Sequence, residues 1–191
     1  MVEDEPVVVG ISGASGAPIA VRVLEALRGA GVPTALVASR AGLSVVREEA
    51  GLDAEALGRL ATHCYAEDDF NAPIASGSRR TRGMVVVPCS STSAAKIALG
   101  LADNLLTRAA HVHLKERRKL VLVPRETPLP TILLRHLTAL SELGAIVLVP
   151  APAYYLQPRS IGDVTSYVAG KVLDHLGVAH GLYRGWKEGD G

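Results

Sequence analysis

Four short apolar runs rich in valine are each followed by small or polar residues. They span residues 6–12, 84–88, 119–124 and 145–150, and the last three end at a proline. Continuous rather than alternating hydrophobicity over about six residues is typical of strands covered on both faces, as in a parallel sheet. The carboxyl ends of parallel strands meet at one edge of the sheet. We therefore predict that the residues following these runs build one ligand site there.

Segments with helical periodicity separate the predicted strands. Further strands are predicted at 34–39 and 63–66, and helices at 18–30, 40–50, 53–61, 92–101, 105–117, 130–143 and 161–176. This alternation predicts an α/β fold with a single doubly wound, mostly parallel sheet of the Rossmann-like or flavodoxin-like type. Since no long linker interrupts the 191 residues, we predict one domain over 1–191, with an ordered core at about 6–177.

Composition argues against several classes of protein. A net charge of +1 and only seven Phe, Tyr and Trp residues make a nucleic-acid partner unexpected. Charged residues make up 20%, below the usual value of about 25%, which hints at self-association.

The acidic start does not resemble a secretion signal, and no apolar run reaches the roughly 18 residues of a membrane helix. Two cysteines and six scattered histidines predict neither metal nor disulfide. We predict a cytoplasmic protein.

The first strand and first helix are joined by a glycine-rich turn, Gly10-x-x-Gly13-x-x-Gly16. Such a turn lets backbone N–H groups approach a phosphate at the helix N-terminus, although tight packing alone would also explain the glycines. The turn lacks the Gly-Lys-Ser/Thr of a triphosphate loop. The second strand ends at Ser39-Arg40, where a dinucleotide fold has an acidic residue for the ribose. A mononucleotide such as FMN therefore fits better than NAD.

Several polar residues have two interpretations from the sequence alone. The segment 90–93 precedes a helix and is suited either to capping it or to binding a ligand. Arg108 and Lys115 are seven residues apart and share a helix face, but they are also typical of a solvated helix end. Arg125 follows a buried strand at the predicted ligand edge. Glu48 and Glu49 are neighbours at the end of a predicted helix, and spacing does not indicate which of the two has a functional role.

Six motifs, in order along the chain from about Val7 to about Leu176, together resemble one family. They are Gly13-Ala14-Ser15-Gly16, Ala75-Ser76-Gly77-Ser78, Pro88-Cys89-Ser90, Leu114-Lys115-Glu116-Arg117-Arg118, Leu122-Val123-Pro124-Arg125-Glu126 and Tyr155-Leu156-Gln157-Pro158. This set resembles the UbiX-type flavin prenyltransferases. The resemblance implies a metal-independent enzyme, commonly a homododecamer, that joins dimethylallyl phosphate to N5 and C6 of reduced FMN. The product, prenylated FMN, would serve a UbiD-type decarboxylase.

The resemblance also implies roles for individual residues. The implied FMN contacts are Gly13, Ala14, Ser15, Ser39, Ser90, Ser91, Thr92, Ser93 and Arg125. The implied catalytic residues are Ser15, Glu49, Arg108, Lys115 and Glu126. The implied prenyl-phosphate site, partly supplied across a subunit interface, comprises Phe70, Arg108, Lys115, Arg125, Tyr155 and Lys171. Three positions depart from the family. Phe70 stands where a Trp is common, Arg40 where a Lys is frequent, and Lys171 where an Arg is frequent. A lysine at position 171 lacks the planar guanidinium that lets an arginine bind a phosphate through two hydrogen bonds.

Two alternatives share the predicted FMN site. One is an FMN-dependent cysteine-type decarboxylase, for which the expected His after the first helix region and a Pro-Ala-Met-Asn-like element are both missing. The other is a non-catalytic FMN carrier. The sequence also leaves open whether the prenyl donor is a monophosphate or a diphosphate.

Overall fold

The computed structural model describes residues 5–185. Six parallel strands form one sheet, in the spatial order β3-β2-β1-β4-β5-β6. The strands are β1 (Val7–Ile11), β2 (Thr34–Ala38), β3 (His63–Tyr65), β4 (Gly83–Cys89), β5 (Leu120–Pro124) and β6 (Ile146–Val147). Because the chain winds outward from β1 in one direction and from β4 in the other, the predicted doubly wound parallel fold is confirmed.

Within residues 5–185, seven helices connect and cover the strands. They are α1 (Ala17–Gly29), α2 (Arg40–Ala50), α3 (Ala54–Gly58), α4 (Ser91–Ala98), α5 (Leu105–Lys115), α6 (Thr131–Glu142) and α7 (Ile161–Leu176). Short 3₁₀ turns lie at Pro73–Ala75 and Tyr154–Leu156. Helix α7 has the predicted bounds. Helix α1 ends one residue before the predicted end, where Gly31 adopts a left-handed φ of 67°, a conformation that glycine reaches without steric cost.

The sheet divides the apolar residues into two cores, one for each face. Alternate strand residues such as Val9, Val85 and Val121 pack with α1, α2 and α7. Their neighbours Val8, Val86 and Leu122 point the other way and pack with α4, α5 and α6. Since successive side chains of a strand point to opposite faces, an unbroken valine run supplies both cores at once.

Two of the proline-bounded runs differ from the prediction. Strand β4 continues through Pro88 to Cys89, and its register with β5 shifts between Val86 and Cys89. Proline is tolerated there because a bulge leaves its position without a ladder hydrogen bond. The run 145–150, in contrast, forms only the two-residue edge strand β6. Beyond it only Leu148 continues the pairing, through its N–H to the Leu122 carbonyl at 2.8 Å.

Within residues 5–185, no helix has the length and apolar character needed to cross a membrane.

Candidate functional site

The residues that follow β1, β4 and β5 line a single cleft at the carboxyl edge of the sheet. The cleft has a volume of about 260 Å³ and is bounded by Gly13, Ala14, Ser15, Ser90, Ser91, Thr92, Arg125 and Glu126. The predicted meeting of these three strand ends is therefore confirmed. In the fourth polar segment, residues 156–159 line a different cavity against α7.

Ser12 holds the first two strand ends together. Its hydroxyl donates a hydrogen bond to the Pro88 carbonyl at 2.9 Å and accepts one from the Ser90 N–H at 2.7 Å. The side chain is buried, so these two bonds satisfy it where no water is available. The sequence analysis missed Ser12. Its signal is a lone hydroxyl at the end of an apolar strand, directly before the glycine turn.

Close packing accounts for one of the turn glycines. A Cβ atom on Gly13 would lie 2.5 Å from the Cβ of Ala41 in α2. Such a contact is far inside van der Waals distance, so a side chain at position 13 would push the turn away from α2. Tight packing, the alternative explanation for the glycine-rich turn, is therefore correct for Gly13.

Glu49 at the end of α2 caps the N-terminus of α1. Its Oε2 accepts hydrogen bonds from the N–H groups of Gly16 at 2.8 Å and Ala17 at 3.0 Å. Burial favours a higher pKa, but the bonds from Ser15, Gly16 and Ala17 and the charge of Arg125 outweigh it and hold the pKa of Glu49 below its ordinary value. The anion at these two donors is thus a carboxylate of the protein itself rather than a phosphate.

The polar segment after β4 both caps α4 and faces the cleft. The Ser90 hydroxyl accepts a hydrogen bond from the Ser93 N–H at 3.1 Å and donates one to the Ser93 hydroxyl at 3.0 Å. The capping interpretation is therefore correct for Ser90. Ser91 instead donates to Glu126 Oε2 at 3.1 Å, across the cleft. Ser39 likewise caps α2, where its hydroxyl accepts from the Gly42 N–H at 3.0 Å.

Arg125 reaches the turn after β1. Its Nε donates to the Ser15 carbonyl at 3.2 Å, which ties the end of β5 to the glycine-rich turn. The guanidinium has further N–H donors beyond the one used here. The cleft thus combines a permanent cation with hydroxyl groups from two strand ends, a donor set suited to an anionic, phosphate-bearing ligand.

Arg108 and Lys115 lie away from this cleft, along the loop 75–79. Arg108 Nε donates to the Ala75 carbonyl at 3.0 Å, and a Cβ on Gly77 would lie 2.7 Å from Lys115 Nζ. Arg118 anchors the same loop through the Gly77 carbonyl at 2.6 Å. Lys115 ends α5 shortly before β5 begins, so it lies towards the amino edge of the sheet.

The remaining predicted substrate residues occupy two further places. Lys171 and Tyr155 lie on the α7 side of the sheet, where Tyr155 belongs to the 3₁₀ turn before α7. Phe70 lies in the turn after β3 and is 48% exposed. Seven of the nine predicted FMN contacts therefore line the cleft of one protomer, whereas Ser39 and Ser93 do not. Of the predicted phosphate cations, Arg125 lies in the cleft, Arg108 and Lys115 lie on one face of the sheet, and Lys171 lies on the other.

The histidines do not form a ligand set. His111 Nε2 contacts the Ile97 carbonyl at 3.1 Å, whereas His113 is buried and bonds to Thr81 and Ala109. Over residues 5–185, no group of three or more His, Cys, Asp or Glu side chains is placed to hold a metal ion.

Comparison with known proteins gives the family. The Flavoprotein family model matches residues 1–173. The flavin prenyltransferase UbiX of Thermoplasma acidophilum is 51% identical over 180 residues, which cover 94% of this chain and 99% of that protein. The chain belongs to the UbiX-type flavin prenyltransferase family. The UbiX of Deinococcus radiodurans is 46% identical to this UbiX-type chain, over 95% of its length and 93% of the relative's.

Solved structures agree with this family. AnUbiX (PadA1), solved in complex with FMN and dimethylallyl pyrophosphate, superposes on this UbiX-type chain with a TM-score of 0.94 at 39% identity, covering 96% and 98% of the two chains. A dodecameric FMN-dependent UbiX-like decarboxylase from Escherichia coli O157:H7 gives 0.93 at 43% identity, covering 96% and 100%. EpiD from Staphylococcus aureus, at 20% identity and a TM-score of 0.57, shares the fold alone.

Proposed function

We propose that this chain is a flavin prenyltransferase that transfers the dimethylallyl group of a dimethylallyl phosphate ester to N5 and C6 of reduced FMN. The observation that carries the proposal is the cleft at the ends of β1, β4 and β5. It presents Arg125 and a row of hydroxyls in a chain that superposes on a protein solved with FMN and dimethylallyl pyrophosphate. Both parts, the donor set and the family, support the same chemistry.

FMN fits the donor set of the cleft. The hydroxyls of Ser15, Ser91 and Thr92 and the guanidinium of Arg125 would hold it, since charge-assisted and hydroxyl hydrogen bonds suit its phosphate and polar ring edge. When bound in reduced form, FMN supplies an electron-rich ring that accepts the prenyl group. Ser39, Ser90 and Ser93 would contribute mainly by fixing the backbone around it, because Ser39 and Ser90 cap helices and the Ser93 hydroxyl accepts a hydrogen bond from Ser90.

Loss of the donor's phosphate requires positive charge beside the breaking C–O bond. Arg108, Lys115 and Lys171 would supply it, because fixed cations stabilise charge that develops in a transition state. Phe70 and Tyr155 would form an apolar wall that excludes water from the allylic carbon. Since these residues lie on both faces of the sheet in one protomer, we propose that neighbouring subunits complete the site. A homododecamer, the assembly of the Escherichia coli relative, would provide such neighbours.

Protons lost from the prenylated ring positions need an acceptor. Glu49 would take this role because its carboxylate is ionised near neutral pH and accepts a hydrogen bond from the Ser15 hydroxyl. Ser15 hydrogen-bonds to that carboxylate and would relay a proton to it. Glu126 accepts the hydrogen bond of the Ser91 hydroxyl across the cleft and would leave the Ser91 oxygen free to accept one from the ligand.

The decisive experiment is an anaerobic incubation with dithionite-reduced FMN and dimethylallyl phosphate, followed by mass spectrometry of the released flavin. A transferase adds one five-carbon unit, whereas a carrier releases FMN of unchanged mass. A parallel reaction with dimethylallyl diphosphate identifies the preferred donor. Unchanged flavin with both donors, from protein that binds FMN, would exclude the transferase.

We further propose that the product is passed to a UbiD-type decarboxylase. The supporting argument is chemical, since a modified flavin made by a separate enzyme needs a recipient apoenzyme. Mixing the product with an apo-decarboxylase of that type should restore carboxylate loss from its substrate. The cytoplasmic location and the organisation as one domain stay predictions.

A further inference from the structure

Asp174 on α7 is the centre of a polar cluster that the sequence analysis did not anticipate. Its Oδ2 accepts a hydrogen bond from Lys171 Nζ at 3.2 Å and another from the Tyr183 hydroxyl. Its Oδ1 accepts from His180 Nε2 at 3.0 Å. Both carboxylate oxygens of Asp174 thus accept hydrogen bonds from other side chains. One of those side chains, Lys171, is predicted to bind the phosphate of the prenyl donor.

The segment after α7 supplies two of these donors. His180 is held by the N–H of Leu182, which donates to Nδ1 at 3.2 Å and leaves the proton on Nε2 for Asp174. Tyr183 packs tightly on the helix, because a Cβ on Gly170 would lie 2.6 Å from its ring. The segment 178–185 is therefore fastened to α7 by packing as well as by hydrogen bonds.

A chain of tyrosines extends the cluster to the loop before α7. The Tyr183 ring meets the Tyr167 ring edge-on, with centroids 5.0 Å apart. Tyr167 in turn shares a side-chain hydrogen bond with Tyr155. Lys171 and Tyr155, assigned to the donor site on separate elements, are thus connected through Asp174, Tyr183 and Tyr167.

Lysine at position 171 needs such support. Its ammonium group is a point charge on a flexible four-carbon stem, without the planar fork that would orient an arginine on a phosphate. Hydrogen bonds to Asp174 and to the Tyr183 hydroxyl use two of the three N–H donors, so one remains for a ligand. Lys171 and Asp174 are 37% and 39% exposed, and a pair so close to water adds little to folding stability. We therefore ascribe to the ion pair between Lys171 and Asp174 a role in orienting the lysine side chain rather than in stabilising the fold.

We propose that Asp174 and Tyr183 are positioning residues that hold Lys171 in place for the phosphate of the prenyl donor. This inference rests on the proposed function in one respect, the assignment of Lys171 to the donor. Asp174 touches neither donor nor FMN in this scheme. It acts only through the lysine, and Tyr183 acts through its hydrogen bonds to both Asp174 and Lys171.

The test measures binding of dimethylallyl phosphate to the FMN-loaded oligomer by calorimetry, which needs no turnover. The variants Asp174→Asn and Lys171→Met and the double variant form a double-mutant cycle. Residues that act as a unit give losses of binding free energy that do not add up in such a cycle. We expect each single variant to weaken donor binding on the order of tenfold. The double variant should bind the donor no more weakly than Lys171→Met alone. FMN affinity should be unchanged in all of them.

Two controls separate positioning from a general structural effect. Tyr183→Phe keeps the ring on Gly170 and removes only the hydroxyl, so it tests the cluster even if Asp174→Asn folds poorly. Glu142→Gln removes an exposed carboxylate from α6 on the opposite face and should leave donor binding unchanged. Additive losses in the double variant, or wild-type donor binding in both Asp174→Asn and Tyr183→Phe, would overturn the proposal.

The same proteins are then assayed for transfer with reduced FMN. A wild-type protein that binds the donor but leaves the flavin mass unchanged would refute the prenyltransferase function, while the binding cycle still decides the role of Asp174. If the wild type transfers the prenyl group but the losses of donor binding add up in the double variant, only the positioning role of Asp174 is refuted. Absence of donor binding in the wild type would refute the positioning role directly.

Discussion

The carboxylate of Glu49 accepts a hydrogen bond from the backbone N–H of Gly16 at 2.8 Å, although 33 positions separate the two residues. The bond joins the C-terminal end of α2 to the N-terminus of α1 beside the cleft. A negative charge is stabilised there because the first N–H groups of a helix carry partial positive charge. Glu49 therefore shapes the turn between β1 and α1, independently of any role in proton transfer.

Glu49→Ala should lower the free energy of unfolding by about 1 kcal/mol, since it leaves the N–H groups of Gly16 and Ala17 without their acceptor. The pKa of Glu49 is lowered in the folded protein, so the stabilisation is present above about pH 4.5 and is lost as the pH falls below that value. Urea unfolding of wild type and variant at several pH values measures the difference. Glu48→Ala, on the exposed neighbour, is the matched control, and an equal loss in it would contradict the cap.

Arg125→Ala should reduce prenyl transfer about a hundredfold, because it removes a fixed cation from the cleft. FMN binding should also weaken, since Arg125 both lines the cleft and holds the Ser15 carbonyl. Single-turnover assays and a flavin fluorescence titration measure the two effects. Arg135→Ala removes an exposed cation from α6 and should leave both unchanged. Wild-type transfer by Arg125→Ala would refute its assigned role.

Gly77→Ala should impair use of the prenyl donor with little loss of stability. The added Cβ would lie 2.7 Å from Lys115 Nζ and closer still to Glu116 Oε1, and both are ends of flexible side chains that can move aside. Displacing Lys115 should cost about 1 kcal/mol of donor binding, or roughly a fivefold rise in KM.

Gly29→Ala is the matched control for this substitution. Its Cβ meets no atom within 4 Å, and its position in α1 favours alanine, so the variant should be as stable as wild type or slightly more stable. An unchanged donor KM in Gly77→Ala would show that the contact with Lys115 has no role in binding.

His113 should make stability depend on pH in mildly acidic solution. Burial lowers its pKa from 6.5 to about 4, so the folded protein keeps the ring neutral where the unfolded chain binds a proton. The unfolded state then holds more protons, and the free energy of unfolding falls as the pH drops from 6.5 towards 4, by roughly 3 kcal/mol in total.

His113→Gln should flatten this dependence between pH 5 and 6.5, where most carboxylates do not titrate. Chemical unfolding at half-unit steps of pH gives the slope. His63→Gln, at an exposed position in β3, should retain the wild-type slope. A slope in His113→Gln equal to that of wild type would assign the acid sensitivity to other groups.

The sequence alone was sufficient for the fold. Valine runs predict buried parallel strands because both faces must be apolar, and the intervening 3.6-residue periodicity predicts the covering helices. Helix α7 was predicted to the residue because a serine N-cap and a left-handed Gly177 mark its two ends. Strand β6 was predicted too long, since apolarity alone does not reveal how far an edge strand remains paired.

The family and its cofactor were also within reach of the sequence, because several ordered motifs identify a family better than one glycine turn does. Tertiary structure decided what each polar residue contacts. Only the folded chain distinguishes Glu49, which caps α1, from Glu48, and only it places Asp174 between Lys171 and Tyr183. The physical reason is that strand and helix patterns are local, whereas hydrogen bonds between distant segments depend on how the helices pack across the sheet.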